Sequence, residues 1–163
     1  IDDKIIKRAQ ENISINKFNN IHLINLGLGE EPAVVKLYEV NEHNPGMNRI
    51  LKEELDLPFR EIKIDRLDTI LESRGIDKVD FIKIDVEGFE YSVLKGGEKM
   101  LRHKPALFIE LDDNNLRHHG HSATMLIGYL AGLGYTQFLR ADNNQELNVN
   151  TDYSNCHYDI TVR

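Results

Sequence analysis

Residues 79–88 read VDFIKIDVEG, and their reading decides the fold. Val79, Phe81, Ile82, Ile84 and Val86 make a short apolar run, the pattern of a strand buried in a parallel sheet. Asp85 and Glu87 follow at its carboxyl end, and Gly88 lets the chain turn tightly into whatever comes next. In an open α/β sheet, ligands sit outside the carboxyl ends of the strands. The segment therefore predicts a strand that delivers two carboxylates to a ligand crevice.

The flanking sequence supports that placement. Asp65 is a candidate helix N-cap, with Asp68 in the first turn and Leu67, Ile70 and Leu71 as the inward stripe, closed by Gly75. Beyond Gly88 a helix is expected over 89–103, with Phe89, Val93, Leu94, Met100 and Leu101 on one side, stopped by Pro105. Gly96 and Gly97 inside it each cost about 1 kcal/mol relative to Ala, which points to close packing of that helix. Residues 106–111 (ALFIEL) form a further apolar strand, with Glu110 near its carboxyl end. Ser122 can cap a helix with Met125, Leu126, Tyr129, Leu130 and Leu133 inward. The last strands are 135–139 and 158–162, of which one is expected to run antiparallel near a sheet edge. Helices alternating with apolar strands predict an α/β sheet covered on both faces.

Upstream, residues 1–15 carry helical periodicity in Ile5, Ile6, Ala9 and Ile13. Residues 21–28 (IHLINLGL), 33–40 and 59–64 read as strands. A polar loop with Pro45 and Gly46 lies between the last two, and its NPGMNR segment (44–49) is a substrate loop or a hairpin connection.

Length and composition bound the function. The chain has 163 residues, 40% hydrophobic and 29% charged, which fits one globular domain. A net charge of −7 with scattered cations disfavours bulk binding of nucleic acid. Cys156 is the single cysteine, so no internal disulfide or paired-cysteine zinc site exists, and a reducing, cytoplasmic setting is expected. No apolar run reaches the roughly 20 residues of a membrane span.

Three carboxylates, Asp85, Glu87 and Glu110, are expected to converge at one sheet edge. For Asp85 the plain reading is a cap for the next helix, and Glu90 reads as a solvated first-turn acid. Glu110 in an apolar strand needs a partner, a ligand or water, because burying a lone carboxylate is costly. Asp112 and Asp113 read as loop caps. His118, His119 and His121 in LRHHGHS read as a solvated loop, with substrate contact as the functional alternative. Tyr91 and Tyr135 read as packing residues.

The runs IDRLDTIL, VDFIKIDVEGFEYSVLKGGEKML and PALFIEL resemble the FkbM-type methyltransferases. The stretch ENISINKFNNIHLINLGLGEEPAVVKLYEV resembles the family's second helix, third strand and first added strand. The resemblance implies a Rossmann-like, class I methyltransferase sheet, mostly parallel with an antiparallel last strand, in the order 3-2-1-4-5-7-6. On that pattern residues 21–26 are strand three, 79–84 strand four, 106–111 strand five, and 135–139 and 158–162 strands six and seven. It also implies S-adenosylmethionine as cofactor and a small-molecule acceptor, a sugar or natural-product hydroxyl. Asp85, Glu87 and Glu110 would line the reaction site, and Asn25, Leu26 and Gly27 would sit beside the adenine. Magnesium would suit such an oxygen-rich site.

The family's first strand, its glycine-rich cofactor loop and its ribose-binding acid have no counterpart in these residues. The expectation is therefore a single methyltransferase domain over 1–163, incomplete at its N-terminus. The contrasting expectation is a non-catalytic, methyltransferase-like module that binds a partner.

Overall fold

The computed structural model describes residues 3–40, 48–51 and 56–163. Two mixed sheets carry the architecture. The first contains β1 (Gly27–Leu28), β2 (Ala33–Tyr38), β3 (Arg49–Ile50) and β4 (Phe59–Asp65) in the order β1-β4-β2-β3. β2 and β4 pair antiparallel from Ala33 opposite Ile64 to Tyr38 opposite Phe59. The strand read from 59–64 is present as β4, and its residues alternate in burial. Ile62 and Ile64 are buried with Leu37, while Glu61 and Lys63 face outward.

The second sheet contains β5 (Phe81–Ile84), β6 (Ala106–Asp112), β7 (Phe138–Arg140), β8 (Glu146–Leu147) and β9 (His157–Val162) in the order β5-β6-β9-β7-β8. β5 and β6 are parallel, and β9 is antiparallel to both β6 and β7. The first four strands follow the expected 4-5-7-6 order. The antiparallel member lies inside the sheet, not at its edge. The fold class is α/β with mixed sheets.

The main core fills one face of this second sheet. Leu107, Ile109 and Leu111 of β6 and Ile160 and Val162 of β9 meet Val93 and Leu94 of α3 (Glu90–Gly96), Leu101 of α4 (Glu98–Leu101), Leu116 of α5 (Asp113–His118) and Leu126, Ile127 and Leu130 of α6 (Ala123–Gly132). Each such side chain contributes roughly 1.5–3 kcal/mol by leaving water. The other face is only partly covered among the described residues. Phe81 is 57% exposed, Phe108 is half-buried, and Lys83 and Asp159 are exposed. The expectation of a sheet covered on both faces is corrected accordingly.

Other expectations also change. Residues 21–26 form no ladder, and pairing begins only at Gly27, parallel to β4. No described strand lies beside 21–26 to take their backbone groups, and Ile21, Leu23 and Ile24 are exposed. The helix expected over 89–103 breaks at Gly97 into α3 and α4. Asp65 ends β4 and does not cap α2 (Leu67–Ser73), whose N-cap position is Arg66. Asp68 instead accepts from the backbone N–H of Lys99 and Met100, 2.9 Å each, at the start of α4. Ser122 does cap α6, accepting from the Met125 N–H at 3.2 Å, but Met125 itself points outward. The first helix, α1 (Asp3–Ile15), buries no residue fully, and Ile6, Ala9 and Ile13 are its half-buried stripe.

The glycine pair in 96–97 explains itself through packing. A Cβ on Gly96 would overlap the carbonyl oxygen of Gly29, and one on Gly97 would come within 2.9 Å of the Leu67 side chain. Arg66 reinforces this contact by donating to the Glu30 carbonyl at 2.6 Å and to the Lys95 carbonyl at 3.5 Å.

Candidate active site

The chain after β5 turns through Asp85, Val86, Glu87 and Gly88 before α3. Glu87 has φ +55° and Gly88 φ +101°. Gly88 is required here. A Cβ would stand 2.6 Å from the Asn115 carbonyl oxygen of α5, and few L side chains adopt that φ. The turn is thus pressed onto α5, a helix that sequence reading took for loop.

Two groups hold the turn in shape. Glu90, at the first position of α3, folds back so that its Oε1 accepts from the backbone N–H of Val86 and of Gly88, 3.1 Å each. The side chain is buried, not solvated as expected, and burial pushes its carboxyl up to about 7 against those two hydrogen bonds. Arg49 of β3 supplies the second. Its Nη2 lies 3.1 Å from Glu87 Oε2, and its Nη1 donates to Asn115 Oδ1 at 3.0 Å. Asn115 Nδ2 closes the triangle on Glu87 Oε2 at 3.4 Å.

Asp85 is half-exposed and pairs with Lys83 Nζ at 2.6 Å. That hydrogen bond raises the Lys83 ammonium's pKa, partly offset by desolvation and aided by the charges of Asp85, Asp159 and Glu110. Glu110 shares the less covered sheet face with Asp85 and lies 3.3 Å from His157 Nε2. Burial comes first in raising its carboxyl's pKa, followed by the negative charges of Glu87 and Asp85; His157 opposes. Its Oε2 is buried without a hydrogen-bond partner among the described residues.

A cleft of about 420 Å3 opens beside this turn. Leu26, Leu37, Ile50, Ile62 and Phe89 form its apolar walls, and Asp85, Glu87 and Asn48 its polar rim. It brings Leu26 and Gly27 to Asp85 and Glu87, four of the six residues expected at the site. Asn25 lies outside the lining, exposed and donating to Asp3 at 3.3 Å. Glu110 also lies outside it, linked to the other two carboxylates through charge. Gly27 has a packing reason as well, since a Cβ would fall 2.6 Å from Ile64 Cγ2. Among the described residues no three His, Cys, Asp or Glu side chains are grouped as a metal site.

Sequence reading missed Arg49, Glu90 and Asn115. Arg49 lay at the end of NPGMNR, of which residues 44–47 fall outside the described residues. For Asn115, the available signal was Asp112 three residues earlier, whose Oδ1 accepts the Asn115 N–H at 2.9 Å and caps α5. Asp112 and Asp113 thus act as caps, as read. Asp113, fully buried, accepts from the Ala123 N–H at 2.9 Å and from Arg117 Nε at 2.7 Å. His119 is buried beside Phe89, contrary to a solvated loop.

Asp85 and Glu87 follow the carboxyl end of β5, the edge strand that pairs parallel with β6, the side on which open α/β sheets take ligands. The methyltransferase FkbM domain matches residues 6–136, and the chain belongs to that methyltransferase family. A crystal structure of methyltransferase FkbM from Methylobacillus flagellatus KT is similar in fold, with a TM-score of 0.60 and 21% identity. The likeness covers 99% of this chain and 34% of that one, so the chain spans about a third of its length. No curated protein matches the sequence. No helix among the described residues is long and apolar enough to cross a membrane.

Proposed function

We propose that residues 1–163 form part of one cytoplasmic methyltransferase domain that uses S-adenosylmethionine to methylate a hydroxyl of a sugar or natural product. The observation that carries this reading is the cleft joining Leu26 and Gly27 to Asp85 and Glu87. Its apolar walls suit a planar base, and its two carboxylates suit hydroxyl and ammonium donors, so the residues present fit that cofactor. A Rossmann-like order of strands supports the reading through β5-β6-β9-β7.

S-adenosylmethionine, when bound, supplies an electrophilic methyl group on a sulfonium. Asp85 would act as the general base, taking the acceptor hydroxyl's proton as the methyl group passes to that oxygen and the cofactor leaves as its neutral thioether. Its hydrogen bond from Lys83 Nζ holds it at the strand end. Glu87, fixed by Arg49 and Asn115, orients donors within the cleft.

Transfer of a labelled methyl group by the full-length protein to a panel of sugars and hydroxylated natural products tests this. Asp85→Ala is expected to lower kcat by roughly 10²- to 10⁴-fold. Transfer that is absent from the wild type, or unchanged in Asp85→Ala, overturns the reading. The alternative of a non-catalytic binding module then stands.

A further inference from the structure

One wall of the cleft is the turn after β5, through Asp85, Val86, Glu87 and Phe89. Glu90 is not part of that lining and is only 1% exposed. Its Oε1 takes the N–H of Val86 and of Gly88, one on either side of Glu87, at 3.1 Å each. An ionised acceptor makes such bonds roughly twice as strong as a neutral one, so the carboxylate form grips the turn harder. Burial opposes the charge and outweighs these bonds, leaving the group at about 7. Near neutrality a modest change in the local field therefore decides whether Glu90 holds a proton.

The charges around it are mostly acidic. Glu110 of β6 disfavours its ionisation. Asp85 and Glu87 on the turn are paired with Lys83 and Arg49. His119, after α5, meets the ring of Phe89, the residue before Glu90. Asp68 of α2 and Asp113 of α5 are committed to backbone N–H groups, and Glu98 of α4 to Arg102. β1, which packs on α3, carries no charged side chain. A positive charge in the cleft would thus be felt at Glu90 through the turn. Two unit charges roughly 10 Å apart at an effective dielectric of about 20 still change a proton's affinity about tenfold.

We propose that Glu90 is a positioning residue that distinguishes the cationic cofactor from its neutral product: entry of the sulfonium form drives the proton of Glu90 out to solvent, and the neutral thioether does not. The inference rests on the methyl-transfer reading, which puts the sulfonium in this cleft. Both forms carry the same ammonium and carboxylate, so the sulfonium charge is the difference between them. The balance is one proton: Glu90 passes from carboxylic acid to carboxylate, and the buffer takes the proton. The carboxylate then holds the Val86 and Gly88 N–H groups, and with them Glu87 at φ +55°, most firmly in the complex that reacts. Once the methyl group has left, the positive charge is gone. The proton returns and the grip on the turn loosens, which favours release of the product.

The test titrates S-adenosylmethionine and S-adenosylhomocysteine into the full-length protein by calorimetry, in buffers of different ionisation enthalpy. With S-adenosylmethionine at pH 7, the wild type is expected to release about 0.4 proton more than Glu90→Gln, which keeps an accepting oxygen and loses the charge. With S-adenosylhomocysteine the two proteins are expected to match. The wild-type affinity for S-adenosylmethionine should rise about fourfold from pH 6 to 7.5, and that of Glu90→Gln should not follow. A second measurement needs no variant. With carbon-13 in the glutamate carboxyls, the resonance that titrates at about 7 should move to lower pH with S-adenosylmethionine and stay in place with S-adenosylhomocysteine. Equal proton release by wild type and Glu90→Gln, or a resonance that ignores S-adenosylmethionine, overturns the inference and leaves methyl transfer standing. If neither cofactor binds, the methyl-transfer reading falls and takes the inference with it.

Discussion

The Glu90 carboxylate lies 3.1 Å from the backbone nitrogen of Gly88, two residues before it, and the same oxygen also takes the Val86 N–H. A side chain that begins a helix thereby organises the turn ahead of it. That turn carries Glu87 at φ +55°, a conformation most residues avoid.

Glu90 makes stability depend on pH. Its carboxyl sits at about 7 in the folded chain, above the roughly 4.3 of an unfolded glutamate. Between those values the folded state holds the extra proton, so stability falls as pH rises. The loss is complete above about 7 and on the order of 3 kcal/mol. Denaturant midpoints from pH 5 to 8 should decline for the wild type, and Glu90→Gln should flatten the decline. A wild-type midpoint that is flat across this range would contradict the assignment.

The Arg49 fork binds Glu87 and Asn115 at once. Arg49→Ala is expected to cost about 1 kcal/mol, as for other partly exposed ion pairs, and to weaken S-adenosylhomocysteine binding through misplacement of Glu87. Arg49→Lys should not restore it, because a point charge cannot reach both partners as a fork does. A double-mutant cycle with Asn115→Ala should show coupling above about 0.5 kcal/mol.

Gly88→Ala should be more damaging than its size suggests. The added methyl would meet the Asn115 carbonyl oxygen at 2.6 Å, and the φ of +101° strains any side chain. A loss of roughly 1–3 kcal/mol is expected by chemical denaturation. Gly75→Ala makes a matched control, since nothing lies within 4 Å of its Cβ position and only the φ cost remains.

Tyr135 is the packing residue the sequence suggested, with one polar duty. Its buried hydroxyl donates to the Pro105 carbonyl at 3.1 Å and lies 3.4 Å from that of Leu101. Tyr135→Phe should lower stability by about 1 kcal/mol while leaving ligand binding intact. Equal midpoints for the two proteins would show that the hydroxyl contributes nothing.

Period-two patterning made β4 readable, and apolar runs made β5 and β6 readable as strands, but the exposure of Phe81 in β5 was not, because it depends on what covers that face. Asp85 and Glu87 were legible as well, because position at the end of an apolar run is a local property. Glu90 was not, because a first-turn acid is ordinarily solvated and its pattern does not show that it folds back onto the Val86 and Gly88 N–H groups. α5 itself is polar, with Leu116 as its buried apolar anchor, so it carries no stripe to detect. Residues 21–26 failed in the opposite direction. Their apolar character is strand-like, yet a ladder needs a neighbour, and sequence pattern does not report one.

The meeting of Gly29 and Gly96 has a mechanical consequence. The cleft draws one wall from the first sheet and its acids from the end of the second, while backbone touches backbone at this joint with no side chain between. The joint acts as a spacer of fixed thickness. Enlarging Gly96 would push Gly29 away and so change the gauge of the cleft without replacing any reacting group.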